Sequence, residues 1–312
     1  MADDDIDRTA SLMTPDKLAR VKPQAAVSPA AWLNQMAADA AHQHVRRIGE
    51  LRKDLKTQGQ SRDYSQITSE IARLAKAAPK LDFSLLQGHG MWSRMTGKSK
   101  TAAAEFAEQF IKLKGAGDDL MNEVKALEQQ LQESAAATDL SLLELEVEYK
   151  AIEKVQDQGA RWLQDMRSQL KERQASPGDA AAARQIKDDE ARCEILVTRL
   201  KQLRDVSAAA QAAHQHALAA ATPRKALAQS LRQALGARLA DWRVKLQAVV
   251  DATEAGDAAS IDAAMESHRE LQLALKDASA DCSQMRLHEN TLAESLHTLK
   301  RQAETARVQP AA

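Results

Sequence analysis

The residues of this chain with reactive or metal-binding side chains are eight histidines, forty-four carboxylates and two cysteines, and their spacing decides what chemistry they could share. His42 and His44 stand in an Ala-His-Gln-His run that recurs at Ala213, His214, Gln215 and His216. On a helix, residues two apart point about 200° from one another, so neither pair can close on one ion as a four-residue spacing could. These histidines are expected to be exposed or half-exposed helix residues, and no metal is predicted. Glu144, Glu146 and Glu148 alternate in the same way and read as a solvated helix face. Gly97, Lys98 and Ser99 suggest the end of a phosphate-binding loop, but that loop needs a glycine where Trp92 stands and a preceding strand. A basic turn ahead of a helix is the better reading, with no nucleotide and no other cofactor. Cys193 and Cys282 occupy apolar helix positions as small buried hydrophobes, which argues against a disulfide framework and for a reducing compartment. No serine or cysteine has a recognisable base partner. The sequence therefore points away from an enzyme.

The elements that hold these residues follow from composition and period. Hydrophobic residues make up 44% of the chain but aromatic ones only 3%, so apolar surface must be spread along thin helical stripes. With 11 glycines and 7 prolines and no alternating β-branched run, an all-α fold is predicted: elongated, with long antiparallel helices in a coiled-coil-like bundle. A net charge of -1 supplies no overall field for nucleic acid or an anionic membrane. No stretch approaches the roughly 20 apolar residues that span a bilayer, and the acidic start lacks an apolar signal core, so a soluble cytoplasmic protein is expected. Nothing in the pattern supports peripheral membrane association.

The longest stripe organises the rest. It runs from Cys193 through Leu196, Leu200, Leu203 and Val206, passes small residues at Ala210, Ala213 and Ala217, and resumes at Leu227, Leu231, Leu235, Leu239, Trp242, Leu246 and Val249. Ahead of it, residues 1–29 read as a disordered tail. Residues 30–78 read as two helices, the first opening at Ser28-Pro29 with a stripe of Trp32, Met36, Ala40, Val45, Ile48, Leu51 and Leu55, the second running from about Asp63 to Ala78. Residues 79–100 form a connector with Gly88, Gly90 and Gly97, and residues 101–308 the long-helix bundle. Gly115 and Gly117 mark a kink or a close crossing, and a helix of roughly 50 residues carries Leu120 to Leu170. Turns are placed near 176–179 and 254–257, Pro223 either caps or bends its helix, and 309–312 is a tail. Alanine runs at Ala180 to Ala183 and Ala217 to Ala221 read as packing seams, and Trp32, Trp92, Trp162 and Trp242 as core or inter-helix fillers.

The run Arg199-Leu200-Lys201-Gln202-Leu203-Arg204, followed by an alanine- and glutamine-rich helix, by Ala226-Leu227 and by Trp242, resembles the bacterial toxic anion resistance family, the TelA-type tellurite resistance proteins. Phe110, Asp119, Leu120, Val124 and Leu127 are similar to the start of that family's central helical region, and the likeness covers roughly Phe83 to Val250. The chain departs from the family at Ala221 to Lys225, where polar residues are usual. The resemblance implies a cytoplasmic helical protein connected with tellurite resistance or envelope stress, and it implies no catalytic residues. Arg199, Leu203, Arg204, Leu227 and Trp242 are the family-like positions, with structural roles expected. The function read from the sequence is a non-enzymatic helical protein acting through other proteins or through self-association of helical faces; the alternative is an unrelated coiled-coil structural or secretion-associated assembly protein.

Overall fold

The computed structural model of the protein describes residues 40–60, 62–86, 98–175, 178–255 and 261–307. Among these the fold is all-α, built of long helices packed together, with no strand. Helix α1 is His42–Gln60 and α2 is Ser65–Ala77, followed by two single 3₁₀ turns, Ala78–Lys80 and Phe83–Leu85. Helix α3 is Lys98–Ala175, α4 is Ala180–Gln229, a π-helical turn spans Ser230–Leu235, α5 is Gly236–Ala255 and α6 is Asp262–Thr305.

Local chemistry sets several of these boundaries. Ala41 has φ 58°, in the left-handed region that an L-residue enters only singly, so α1 starts at His42; the expected helix start at Ser28-Pro29 lies outside the described residues. The Asp179 carboxylate accepts from the Ala182 N–H at 2.8 Å and caps α4, and Asp82 accepts from the Ser84 N–H at 2.9 Å to close the second 3₁₀ turn. Pro223 lies inside α4, which runs on past it to Gln229; the missing proline N–H is followed within two turns by the π-helical widening at Ser230.

Helix α3 is 78 residues long, not about 50, because Gly115 and Gly117 do not interrupt it. The two glycines differ in surroundings. A Cβ on Gly115 would meet nothing within 4 Å, whereas one on Gly117 would come within 3.0 Å of Leu239 and 3.1 Å of Arg243. Gly117 is thus where α3 and α5 approach closely.

The chain forms two compact units that do not follow chain order. The first takes 1–57, 138–217 and 292–312, and its core joins Val45, Ile48, Leu51 and Leu55 of α1 to Leu145 and Ile152 of α3, Leu203 to Ala217 of α4 and Leu296 and Leu299 of α6. The second takes 58–137 and 218–291, with Ile67, Ile71 and Leu74 of α2 packed on Phe106, Phe110 and Leu120 of α3, Leu227 to Val249, and Leu271 to Cys282 of α6. The organising stripe is therefore shared: Leu203 to Ala217 lie in the first core and Leu227 to Val249 in the second. Each unit uses one short helix to cover segments of the long ones.

Ala217 and Ala220 are buried, as a seam requires, but Ala180, Ala181 and Ala183 are exposed. The expected tail at 1–29, Trp32, Met36, the segment 87–97 with Trp92, the turn residues Ser176, Pro177 and Gly256, the cap Ser260 and the tail at 309–312 lie outside the described residues.

Candidate functional site

Of the family-like positions, Arg199 and Leu203 belong to the first unit, Leu227 and Trp242 to the second, and Arg204 is exposed. The five are not gathered into one site. Arg199 is buried at 5% exposure, and among the described residues no carboxylate pairs with it. Its guanidinium donates to the Ala306 carbonyl just past the end of α6 and, at 3.0 Å, to the Ala40 carbonyl ahead of α1. Burial pushes its pKa down from the usual arginine value. The side chain ties two chain segments together through their carbonyls, a positioning role.

Trp242 is fully buried, edge-on to Phe110 with ring centroids 5.5 Å apart. Its indole N–H donates to His268 Nδ1 at 3.0 Å. Nε2 of His268 lies 3.0 Å from the Ala78 carbonyl and 3.1 Å from Gln272 Nε2. Because the indole can only donate and the carbonyl only accept, the ring must carry its single proton on Nε2. Burial lowers the His268 pKa, with the bond to Ala78 acting in the opposite sense, so a neutral imidazole is built into the second core. Sequence reading reached Trp242 and not His268; the signal was the buried indole, which requires an acceptor on a facing helix. The alanines at 234, 237, 240 and 248 face solvent and make no room for the indole, because they lie off the buried stripe.

A second buried polar group lies elsewhere in that unit. Arg62 donates to the Gln58 carbonyl at 2.8 Å and Arg224 donates to Glu289 at 2.6 Å, both arginines being under 9% exposed. Tyr64, 4% exposed, has its phenol pushed up to about 12 by burial and then by Glu289. Such a phenol stays protonated and makes a poor base.

In the first unit the carboxylates expected on a solvated face are half-buried and paired: Glu144 accepts from Arg47, Glu148 bonds His44 Nδ1 at 2.6 Å, and Glu146 accepts from Lys150 at 2.5 Å with His214 Nε2 at 3.9 Å. They differ from expectation because α1 and α4 close over both flanks of α3. His214 is itself buried and edge-on to Tyr149, not half-exposed. Further along, Asp189 is fully buried between Arg173 at 2.9 Å and Arg192 at 3.2 Å. The nearby grooves are open and walled by Arg167, Lys171, Lys187, Glu190 and Glu194, with no converging acid–base pair. Cys193 and Cys282 are buried and free, and burial raises both thiol pKa values, Cys282 to about 11, which suppresses the nucleophilic thiolate. Among the described residues, no group of three or more His, Cys, Asp or Glu is placed to hold a metal ion, and no helix is long and apolar enough to cross a membrane.

Some large apolar side chains remain accessible. Leu140, Leu143 and Val147 of α3 are 58%, 62% and 64% exposed and fall three and four residues apart, so they form one outward stripe. The buried stripe Leu142, Leu145, Tyr149 and Ile152 runs on the opposite side of the same helix. Comparison with family models, with curated proteins and with solved structures returned no match.

Proposed function

We propose that this protein is a non-enzymatic helical scaffold that works through contacts with other proteins. The outward stripe of Leu140, Leu143 and Val147 supports this reading, because apolar side chains at helical spacing that stay in water carry a cost which a partner helix removes. The buried polar groups support it too: Arg199, His268, Arg224 and Asp189 are each engaged with the chain's own backbone or side chains. The resemblance at Arg199, Leu203, Arg204, Leu227 and Trp242 supports a role for the scaffold in toxic anion (tellurite) resistance or in an envelope-stress response, in the cytoplasm. A structural or secretion-associated coiled-coil assembly is the second reading, favoured by the heptad spacing of the same stripe. Affinity capture from the native cell with wild-type protein and with Leu140→Glu/Leu143→Glu tests the proposal. The scaffold reading predicts co-purifying proteins that the double variant loses while its circular dichroism stays unchanged. A purified protein that reduces tellurite with a nicotinamide cofactor would replace it with an enzyme.

A further inference from the structure

The outward stripe of α3 extends on both sides in strict heptad register. Glu133, Leu140 and Val147 repeat every seven residues, and Ala136, Leu143 and Lys150 do so three residues behind them. All six are exposed. On the single helix α3 they fall within roughly a 100° arc and span about 26 Å. The order of residues along this seam, charge then small then large at one end and large then charge at the other, is the unusual feature.

We propose that α3 pairs through this seam with α3 of a second copy of the chain, antiparallel, about a two-fold axis between residues 141 and 142. In antiparallel coiled coils the first heptad series of one helix layers on the second series of the other. With that centre, Leu140 layers on Leu143 of the second copy, Val147 on its Ala136, and Glu133 on its Lys150, and the two-fold repeats each layer. Large residues meet small or equal ones, and opposite charges meet at both ends. A parallel pair would set Glu133 on Glu133 and Lys150 on Lys150, which like-charge repulsion disfavours. Asp139 comes beside Glu146 of the second copy, and Lys150 of that same copy already bonds this glutamate at 2.5 Å. The inference rests on the scaffold reading and names one partner of that surface.

A seam this short buries less than a permanent dimer does, so association on the order of tens of micromolar is expected. Sedimentation equilibrium of the full chain from about 1 to 300 μM covers that range. The proposal predicts a reversible dimer whose dissociation constant rises about 100-fold in Leu143→Glu, as for a central contact. It also predicts weakening in Glu133→Lys and recovery in Glu133→Lys/Lys150→Glu, with circular dichroism unchanged throughout because all these positions are exposed. Mixed Leu140→Cys and Leu143→Cys proteins should cross-link faster with each other than either does with itself. A monomer at every concentration, a dimer untouched by Leu143→Glu, or failure of the charge-swapped double variant to recover would overturn it. If the monomer persists while captured proteins still depend on Leu140 and Leu143, the scaffold reading survives; if capture is also indifferent to them, both fall.

Discussion

Acid should weaken the second unit through His268. In the folded chain Nδ1 accepts from the Trp242 indole at 3.0 Å and Nε2 faces the Ala78 carbonyl at 3.0 Å, so a second proton on the ring would set a donor against a donor. Burial moves the pKa in the same direction, below the usual value. Unfolded, the ring titrates near 6.5. A folded-state pKa below the unfolded one means that full stability is present above about pH 6.5 and is lost as pH falls, because the unfolded chain then takes up the proton and the folded chain does not. If the folded ring stays neutral down to pH 5.5, one such group removes about 1.4 kcal/mol between pH 7.5 and pH 5.5. The assay is urea denaturation across that range for wild type and His268→Gln, since glutamine can accept from the indole and donate to the carbonyl but cannot titrate. The variant should be less stable at pH 7.5, and the gap should narrow as pH falls to 5.5, by at most about 1.4 kcal/mol. Parallel pH profiles for the two proteins would refute the tautomer argument, as would a His268 resonance that titrates at 6.5 or above in the folded protein.

Three further outcomes follow from burial and space. Trp242→Ala should cost about 3 to 5 kcal/mol by chemical denaturation, as large-to-small changes at fully buried sites do; unchanged stability would make Trp242 a surface contact instead. Gly115→Ala should raise the thermal midpoint, because the added methyl meets open space and alanine favours helix by about 1 kcal/mol, whereas Gly117→Ala should not, since its methyl presses on buried Leu239; equal shifts would show the close approach to be absent. Arg199→Met should lower stability by about 2 to 4 kcal/mol and speed amide exchange near Ala306, as two buried carbonyls lose their donor; normal protection there would contradict the staple.

The helices themselves were legible because period needs only side-chain type. Leu227 to Val249 step along one face whatever they pack against, and Asp179 marks the start of α4 by local capping alone. The continuity of α3 through Gly115 and Gly117 was not legible, because a glycine inside a pattern looks the same whether it sits in open water or under Leu239. The sharing of one stripe between two cores was hidden for a similar reason: the small residues Ala217 and Ala220 keep the period while the partners change from the first core to the second. His268 escaped notice because its donor lies 26 residues away on another helix. The outward stripe escaped because Leu140, Leu143 and Val147 have the same spacing as a core, and only the placement of α1 and α4 shows which of the two apolar faces of α3 is covered.

Contact of this outward face with protein is tested in the living cell by a photo-activatable cross-linking residue at position 143. The same residue at exposed Lys201 serves as control. The account predicts discrete protein adducts from position 143, a second copy of the chain among them, and none from 201. Adducts that are absent at 143, or equal at the two positions, would contradict it.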